Sequence, residues 1–383
     1  MTTRPGLPVP RGDISASVVG ALGSSAPGAP RFRSLPVAAT DALGEDAQLA
    51  LWCCYALHYH GFTGVPDDWE WDPELLHLRS RLERAFLARL HDECDAPGDA
   101  AGDVPCTTTA VLDGLDALTN GDGPSLSGHL EQRGTFAQTR EFLVHRAVYQ
   151  TKEADPHSWA IPRVPGAAKA ALVSIQHDEY GAGDAGQMHS RLFLSTLAWA
   201  GVDLESLHRA GGSIVDRVPA TTLATDNLIS CFGLHRSHRA ACIGHLALFE
   251  MTSTGPMSRY ASLLRRLGAP PAARHFYEAH VVADAVHEQV ARTMVTDLLR
   301  AEPDQGAMVL FGARALDAVE RRFAAALLAA WSEGRSSLRS DVDDAGLSRR
   351  ADANRRGTPA STAARPVGSR TGDGARHRAA TRG

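Results

Sequence analysis

The segment FYEAHVVADAVHEQVAR, residues 276–292, carries His280, Asp284 and His287 at positions i, i+4 and i+7. At 100° per residue, these fall within about 60° of one another on a helix. Val281, Val282, Ala283, Ala285 and Val286 surround them, so the helix reads as apolar on most sides and largely buried. Three ionisable groups facing one way from a buried helix each need a partner, since isolated burial costs roughly several kcal/mol apiece. A metal ion satisfies all three at once; a surface helix with scattered polar groups is the plainer alternative. HEQVA at 287–291 is not HExxH, because Ala291 stands where the second histidine belongs, and the zinc-protease reading drops out.

Further donors lie upstream. Glu250 follows the apolar run 246–249 near the end of a long helical pattern, where a glutamate is ordinarily a snorkelling or surface residue. His245 lies about 140° around that helix from Glu250, and His235, His238 and His245 read as structural or exposed. Glu179 and His189 flank YGAGDAGQM. On an unbroken helix they would sit about 80° and roughly 15 Å apart, so they can share one metal only if the helix is interrupted. Gly181, Gly183 and Gly186 suit that interruption. These glycines also spell GxGxxG, and Asp203 and Glu205 stand at a distance suited to a dinucleotide fold. That fold needs a strand before and after the motif, whereas LFLSTLAWAG is helical and no strand follows. Glu153, in YQTKEADPHSW, falls at a helix end just before Pro156, with Asp155 and His157 reading as capping or surface residues.

The elements that must position these groups are helices. Apolar spacing of 3.6 residues runs through 138–153, 166–180, 187–200, 220–229, 234–252, 257–267, 272–300 and 309–333, with Pro and Gly at many joints, Gly255 among them. Residues 45–62 and 74–92 carry the same spacing, and 95–125 reads as a loop dense in Gly, Asp and Thr. Alternation of period two is scarce, so the fold expected is all-α, one main bundle. Residues 1–40 and 336–383 lack periodic apolar positions and are expected to be disordered; 340–383 hold nine arginines against five aspartates. The divisions expected are therefore a disordered segment 1–40, a helical extension 41–135, a core 136–335 and an Arg-rich tail 336–383.

Bulk properties exclude several classes. With 383 residues, 44% hydrophobic and a net charge of −5, the chain has an ordinary globular composition and no basic character that calls for nucleic acid. No run of 18 apolar residues suggests a membrane span, and MTTRPGLPVPRGD has no apolar signal region. Six cysteines without CxxC spacing fit a reduced, cytoplasmic protein, with Cys53–Cys54 as core filler.

The order Glu153, Glu179, His189, Glu250, then His280-x3-Asp284-x2-His287, resembles the ligand set of the haem-oxygenase-like diiron oxidases and oxygenases. EADPHSWAIPR, IQHDEYGAG and GHLALFEMTSTGP are similar to stretches of the bacterial iron-containing redox enzymes of that superfamily, and residues 45–92 resemble a helical extension found with them. The resemblance implies a haem-oxygenase-like bundle holding two Fe(II) ions, with manganese as the alternative, and O2 as co-substrate. It implies that Glu179, His189 and His287 hold one iron and Glu153, His280 and Asp284 the other, with Glu250 bridging or facing both; Glu250 and Glu179 are the carboxylates expected to serve catalysis. Four carboxylates then match the charge of two Fe(II) ions, and mixed N/O ligands suit iron or manganese. The expected partners are a small-molecule substrate (amine, amino-acid-like or fatty-acid-like), an electron donor and a second copy of the chain, with neither nucleic acid nor membrane. The reactions implied are N-oxygenation, desaturation or oxidative C–C cleavage. Two other functions stand beside this one: haem binding or degradation on the same bundle, and a non-enzymatic helical scaffold with a structural metal site.

Overall fold

The computed structural model describes residues 4–24, 27–28, 32–94, 107–120 and 125–339. Among these there is no strand. Five helices precede the core: α1 (Asp13–Ser24), α2 (Glu45–Ala56), α3 (Pro73–Cys94), α4 (Thr108–Thr119) and α5 (Leu126–Arg133). The core then runs through α6 (Phe136–Gln150), α7 (Asp155–Ser158), α8 (Gly166–Glu179), α9 (His189–Trp199) and α10 (Leu204–Arg209). It closes with α11 (Ala220–Leu234), α12 (Arg239–Arg266), α13 (Pro271–Ala301) and α14 (Gly306–Ser332). None of these helices is long and apolar enough to cross a membrane.

The centre of the bundle is α12, packed against both α13 and α14. Its approach to α14 is backbone on backbone. A Cβ on Gly244 would stand 1.9 Å from the carbonyl oxygen of Val309, and one on Gly312 would stand 1.9 Å from that of Ala241. Only glycine lets the helices close to that distance. On the other side, α8 and α9 pack against α13, which places the ends of α6, α8 and α9 beside the middle of α12 and α13. Local signals set the register of α6: Thr135 and Gln138 form a reciprocal capping box, with Gln138 N donating to Thr135 Oγ1 at 3.2 Å and Thr135 N to Gln138 Oε1 at 3.0 Å.

Four sequence expectations change. Within residues 1–40, α1 is a regular helix that buries Ile14, Val18 and Leu22 against α2. Its cap is not local: Asp46, on α2, accepts from Ile14 N at 3.0 Å and Ser15 N at 2.7 Å. Within 95–125, α4 is capped by Thr107 and buries Val111 and Leu115; residues 95–106 and 121–124 lie outside the described residues. The joint at Gly255 is no joint, for α12 runs through Pro256. Proline there costs about 3 kcal/mol in a free helix, and packing on α13 and α5 outweighs it. Finally, the tail does not begin at 336. Ser337 N donates to Glu141 Oε2 at 2.8 Å and Arg339 N to the carbonyl of Arg217 at 2.9 Å, while 340–383 lie outside the described residues.

Candidate metal centre

On α13, His280, Asp284 and His287 are all buried. The apolar neighbours behave otherwise: Val282 and Val286 are 74% and 62% exposed. The sequence reading of a helix buried nearly all round is therefore corrected. Here the ionisable stripe faces the core and part of the apolar face meets solvent, which is the reverse of an ordinary amphipathic helix.

Glu179 is the last residue of α8 and His189 the first of α9. Between them the chain turns through Gly181 (φ +71), Ala182 (φ +52) and Gly183 (φ +90), so the helix is broken where the glycines suggest. The turn brings His189 Nδ1 to 2.6 Å from Glu179 Oε2. Glu153 sits in the turn after α6, ahead of Ala154, a non-glycine residue at φ +65. That left-handed residue is held by its surroundings: its carbonyl accepts from Gln176 Nε2 at 2.8 Å. Glu250 projects from α12 and is buried, not snorkelling.

These seven side chains meet. His280 Nε2 lies 3.7 Å from Glu153 Oε2 and 4.0 Å from Glu179 Oε2. His287 Nδ1 lies 3.3 Å from Glu250 Oε2, 3.8 Å from Glu179 Oε1 and 4.0 Å from Asp284 Oδ1. Two groups of donor atoms result, each within 4.8 Å: Glu153, Glu179, His189 and His280 in one, Glu179, Glu250 and His287 in the other. Glu179 belongs to both, and it turns Oε2 to the first group and Oε1 to the second. The grouping expected from the resemblance is thus redrawn. His189 stands with Glu153 and His280 instead of with His287, and Glu179, more than Glu250, spans the two groups. Asp284 falls in neither group but is buried beside both.

Whether these residues fit metal ions can be read from their unpaired atoms. Glu179 Oε2, His189 Nδ1 and Asp284 Oδ2 are buried and make no hydrogen bond. Two of them are 2.6 Å apart, yet not aligned as donor and acceptor. Buried atoms left unpaired in this way are what a set of metal ligands presents, and leaving them so would cost roughly 1–3 kcal/mol each. The donor set of carboxylates and imidazoles suits iron or manganese.

Outer partners fix the imidazoles. His280 Nδ1 donates to the carbonyl of Phe276 at 2.8 Å, which leaves Nε2 as the nitrogen that faces Glu153 and Glu179. Asp178 Oδ2 accepts from His287 Nε2 at 3.1 Å and likewise frees Nδ1. With its amide turned so that nitrogen rather than oxygen faces Glu153, Gln150 donates to both oxygens of Glu153, at 2.7 and 3.1 Å. Behind Glu153, Lys152 forms a buried ion pair with Asp226 and lies 4.6 Å from the centre of the Tyr59 ring. This joins the ligand turn to the chain just beyond α2.

Burial and mutual repulsion push the Glu153, Glu179 and Glu250 carboxyls up from their ordinary range, and raise Asp284 to about 8. Burial also opposes the His280 cation, but Glu153, Glu179 and Asp284 outweigh it and raise its pKa to about 10. Glu250, Asp178 and Glu179 do the same for His287, to about 9. His189 goes the other way, to about 4, through burial and the neighbouring imidazoles. Without metal, then, the cluster offsets its carboxylates with protons.

A small cavity of about 10 Å³, room for about one water, lies against the cluster, lined by Tyr149, His157, Gln176, Leu246 and Phe249 together with five residues of the cluster. Two sequence expectations fail here. His157 is buried, not capping or surface, and its Nε2 is 3.3 Å from Nδ1 of His245, also buried. Asp155 accepts from Tyr180 Oη at 2.8 Å. Sequence reasoning missed Asp178, Gln150, Gln176 and His157 as members of the site. Gln176 carried a legible signal, since three residues before Glu179 is the same side of α8.

Fold and cluster together define a helical bundle built around a buried carboxylate–histidine centre with the make-up of a metal site. Residues 140–321 match the model of a family described as iron-containing redox enzymes. This segment, which carries every candidate ligand, belongs to that family, and its architecture is the haem-oxygenase-like bundle. Among curated proteins no sequence matches the chain.

Proposed function

We propose that the protein is a non-haem diiron oxidoreductase that uses O2 to oxidise a small organic substrate. The observation that carries this reading is Glu179, whose two oxygens face two different groups of buried nitrogen and oxygen donors. A carboxylate so placed is suited to bridging a pair of ions. On this reading Glu153, His189 and His280 hold one iron with Glu179, and Glu250 and His287 hold the other. Asp284, with its unpaired Oδ2, completes the set from between them. When bound, the metals supply the electrons and open coordination positions by which O2 is activated.

The chain's own residues do the rest. Phe276 O and Asp178 keep His280 and His287 in the tautomers that present a lone pair inward. Gln150 holds Glu153 by both oxygens. Leu246 and Phe249 line the small cavity with apolar surface, and Tyr149 and Gln176 offer polar contacts within it. Four buried carboxylates and three histidines favour this reading over a haem pocket, which has no use for the carboxylates. A reduced electron donor is expected, and N-oxygenation, desaturation and C–C cleavage all remain within the chemistry proposed.

Metal analysis of the full chain, combined with an O2-consumption assay, tests the proposal. The expected result is two irons per chain and iron-dependent O2 uptake. A Soret band with stoichiometric haem, or no iron retained and no O2 uptake, would overturn it.

A further inference from the structure

The turn that carries Glu153 is held from two sides. On the side of the cluster, Gln176 Nε2 donates to the carbonyl of Ala154 at 2.8 Å. On the other side the fixed point is Lys152, the residue before Glu153. Its ammonium pairs with Asp226 on α11, and the two residues are only 8% and 2% exposed. Between these two anchors the backbone is strained, for Ala154 stands at φ +65, a conformation that a non-glycine residue keeps only when its surroundings fix it. A buried ion pair adds little to stability over an apolar pair of the same volume. What it does fix is where the chain bearing the cation runs, and here that chain bears a ligand.

The partners of this ion pair come from outside the family-matched residues 140–321. Tyr59, in the chain just beyond α2, places the centre of its ring 4.6 Å from the Lys152 ammonium, and its hydroxyl donates to Ser230 Oγ on α11 at 3.2 Å. It therefore touches both the cation and the helix that carries the anion. Next to Asp226, Asn227 Nδ2 donates to the backbone carbonyl and to Oε1 of Gln48 on α2, both at 2.8 Å. Gln48 and Asn227 are completely buried, so α2 and α11 are joined through a polar contact that water does not reach. On its far side α11 meets the ligand turn backbone on backbone, since a Cβ on Gly233 would stand 2.3 Å from the carbonyl oxygen of Pro156.

We infer that Tyr59 and Asp226 are positioning residues for Glu153: residues 45–60 and α11 together clamp Lys152, and the clamp sets where the Glu153 carboxylate stands. The inference rests on the metal reading above, and extends the support of one ion's site to a part of the chain that holds no ligand.

The test is anaerobic Fe(II) titration of the full chain against a competing chelator, together with hydrogen exchange of residues 151–155 in the metal-free chain. Tyr59→Leu removes the ring face. It is expected to weaken one iron about three- to tenfold, the same iron that Glu153→Gln weakens, to leave the other unchanged, and to speed exchange in 151–155. Tyr59→Phe keeps the ring face and should keep both irons. Asp226→Asn should weaken the same iron at least about tenfold, a typical effect of removing the support of a ligand. The double variant Lys152→Met, Asp226→Leu separates positioning from stability: it should melt near the wild type and still bind that iron weakly. Wild-type affinity and exchange in Tyr59→Leu, equal weakening of both irons, or wild-type affinity in the double variant would each overturn the inference. The two Tyr59 variants decide it even if Asp226→Asn fails to fold. A wild type that binds no iron would overturn the metal reading, whereas two irons indifferent to Tyr59→Leu would overturn the clamp alone.

Discussion

Gly181 is the residue on which the placing of His189 in the cluster depends most simply. Its φ is +71, and a Cβ added there would stand 2.6 Å from both the carbonyl carbon of Gln187 and the backbone nitrogen of Met188. Ordinary contact begins near 3.4 Å, so the strand of chain leading into His189 would have to retreat by roughly 0.8 Å. The left-handed conformation adds about 1–2 kcal/mol for an L side chain. His189 is the first residue of α9 and cannot absorb that shift while keeping its Nδ1 in place, and metal–nitrogen bonds tolerate only about ±0.2 Å. Gly181→Ala should therefore weaken one of the two iron sites by at least about tenfold, a typical effect of disturbing the support of a ligand. Gly183 is the internal control. Its φ of +90 carries the conformational cost, but nothing lies within 4 Å of its Cβ position, so Gly183→Ala should lower thermal stability and keep both irons. Anaerobic Fe(II) titration against a competing chelator reads both variants. Wild-type affinity in Gly181→Ala, or equal loss in the two variants, would refute the claim that this turn aims His189.

Loading the cluster should expel protons. At pH 7, His280 (about 10), His287 (about 9) and Asp284 (about 8) hold protons in the metal-free chain, and the raised glutamates can add to them, so metal loading should release several protons, measurable in a weakly buffered solution; no release would contradict the assigned set. The same shifts give stability a sign. The raised histidine pKa values contribute stability present below about 6.5 and lost as pH rises through 9 to 10, and the raised Asp284 carboxyl costs stability progressively from about 4 to 8. Hence the metal-free chain should melt lower at pH 9 than at pH 7, and the gap to the iron-loaded chain should widen. Asp178→Asn, at a half-exposed carboxylate, should leave the fold intact and cost roughly 10–100-fold in metal affinity by releasing the His287 tautomer, whereas unchanged affinity would show that Asp178 positions nothing. Gly244→Ala, whose Cβ would meet Val309 O at 1.9 Å, should destabilise the bundle by about 3 kcal/mol in chemical unfolding without altering iron stoichiometry.

Much of this was legible in the sequence because it rests on local periodicity. The i, i+4, i+7 placement of His280, Asp284 and His287 predicts a shared face on one helix, and three glycines between Glu179 and His189 predict the break that lets them meet. What was not legible depends on distant partners. Helix α1 escapes notice because Asp46, far along the chain, supplies its cap. Pro256 looks like a helix end because its missing donor is a local fact, while the packing that offsets it is not. The exposure of Val282 and Val286 inverts the usual reading of an apolar face, since a metal-type cluster needs polar groups where hydrophobic residues ordinarily go. Residues such as Asp178 and Gln150 carry no pattern of their own; they matter only through the ligand each one touches. The division of donors between two groups depends on where each carboxylate oxygen points, which no spacing encodes.

The central claim is that Glu179 joins two metal positions. The most direct measurement is the iron stoichiometry and affinity of Glu179→Ala beside the wild type and Glu250→Ala, by anaerobic Fe(II) titration of the full chain. The account predicts two irons in the wild type, both weakened in Glu179→Ala, and chiefly the site shared with His287 weakened in Glu250→Ala. A Glu179→Ala chain that keeps one iron at wild-type affinity, or a wild type that never binds more than one, would contradict it.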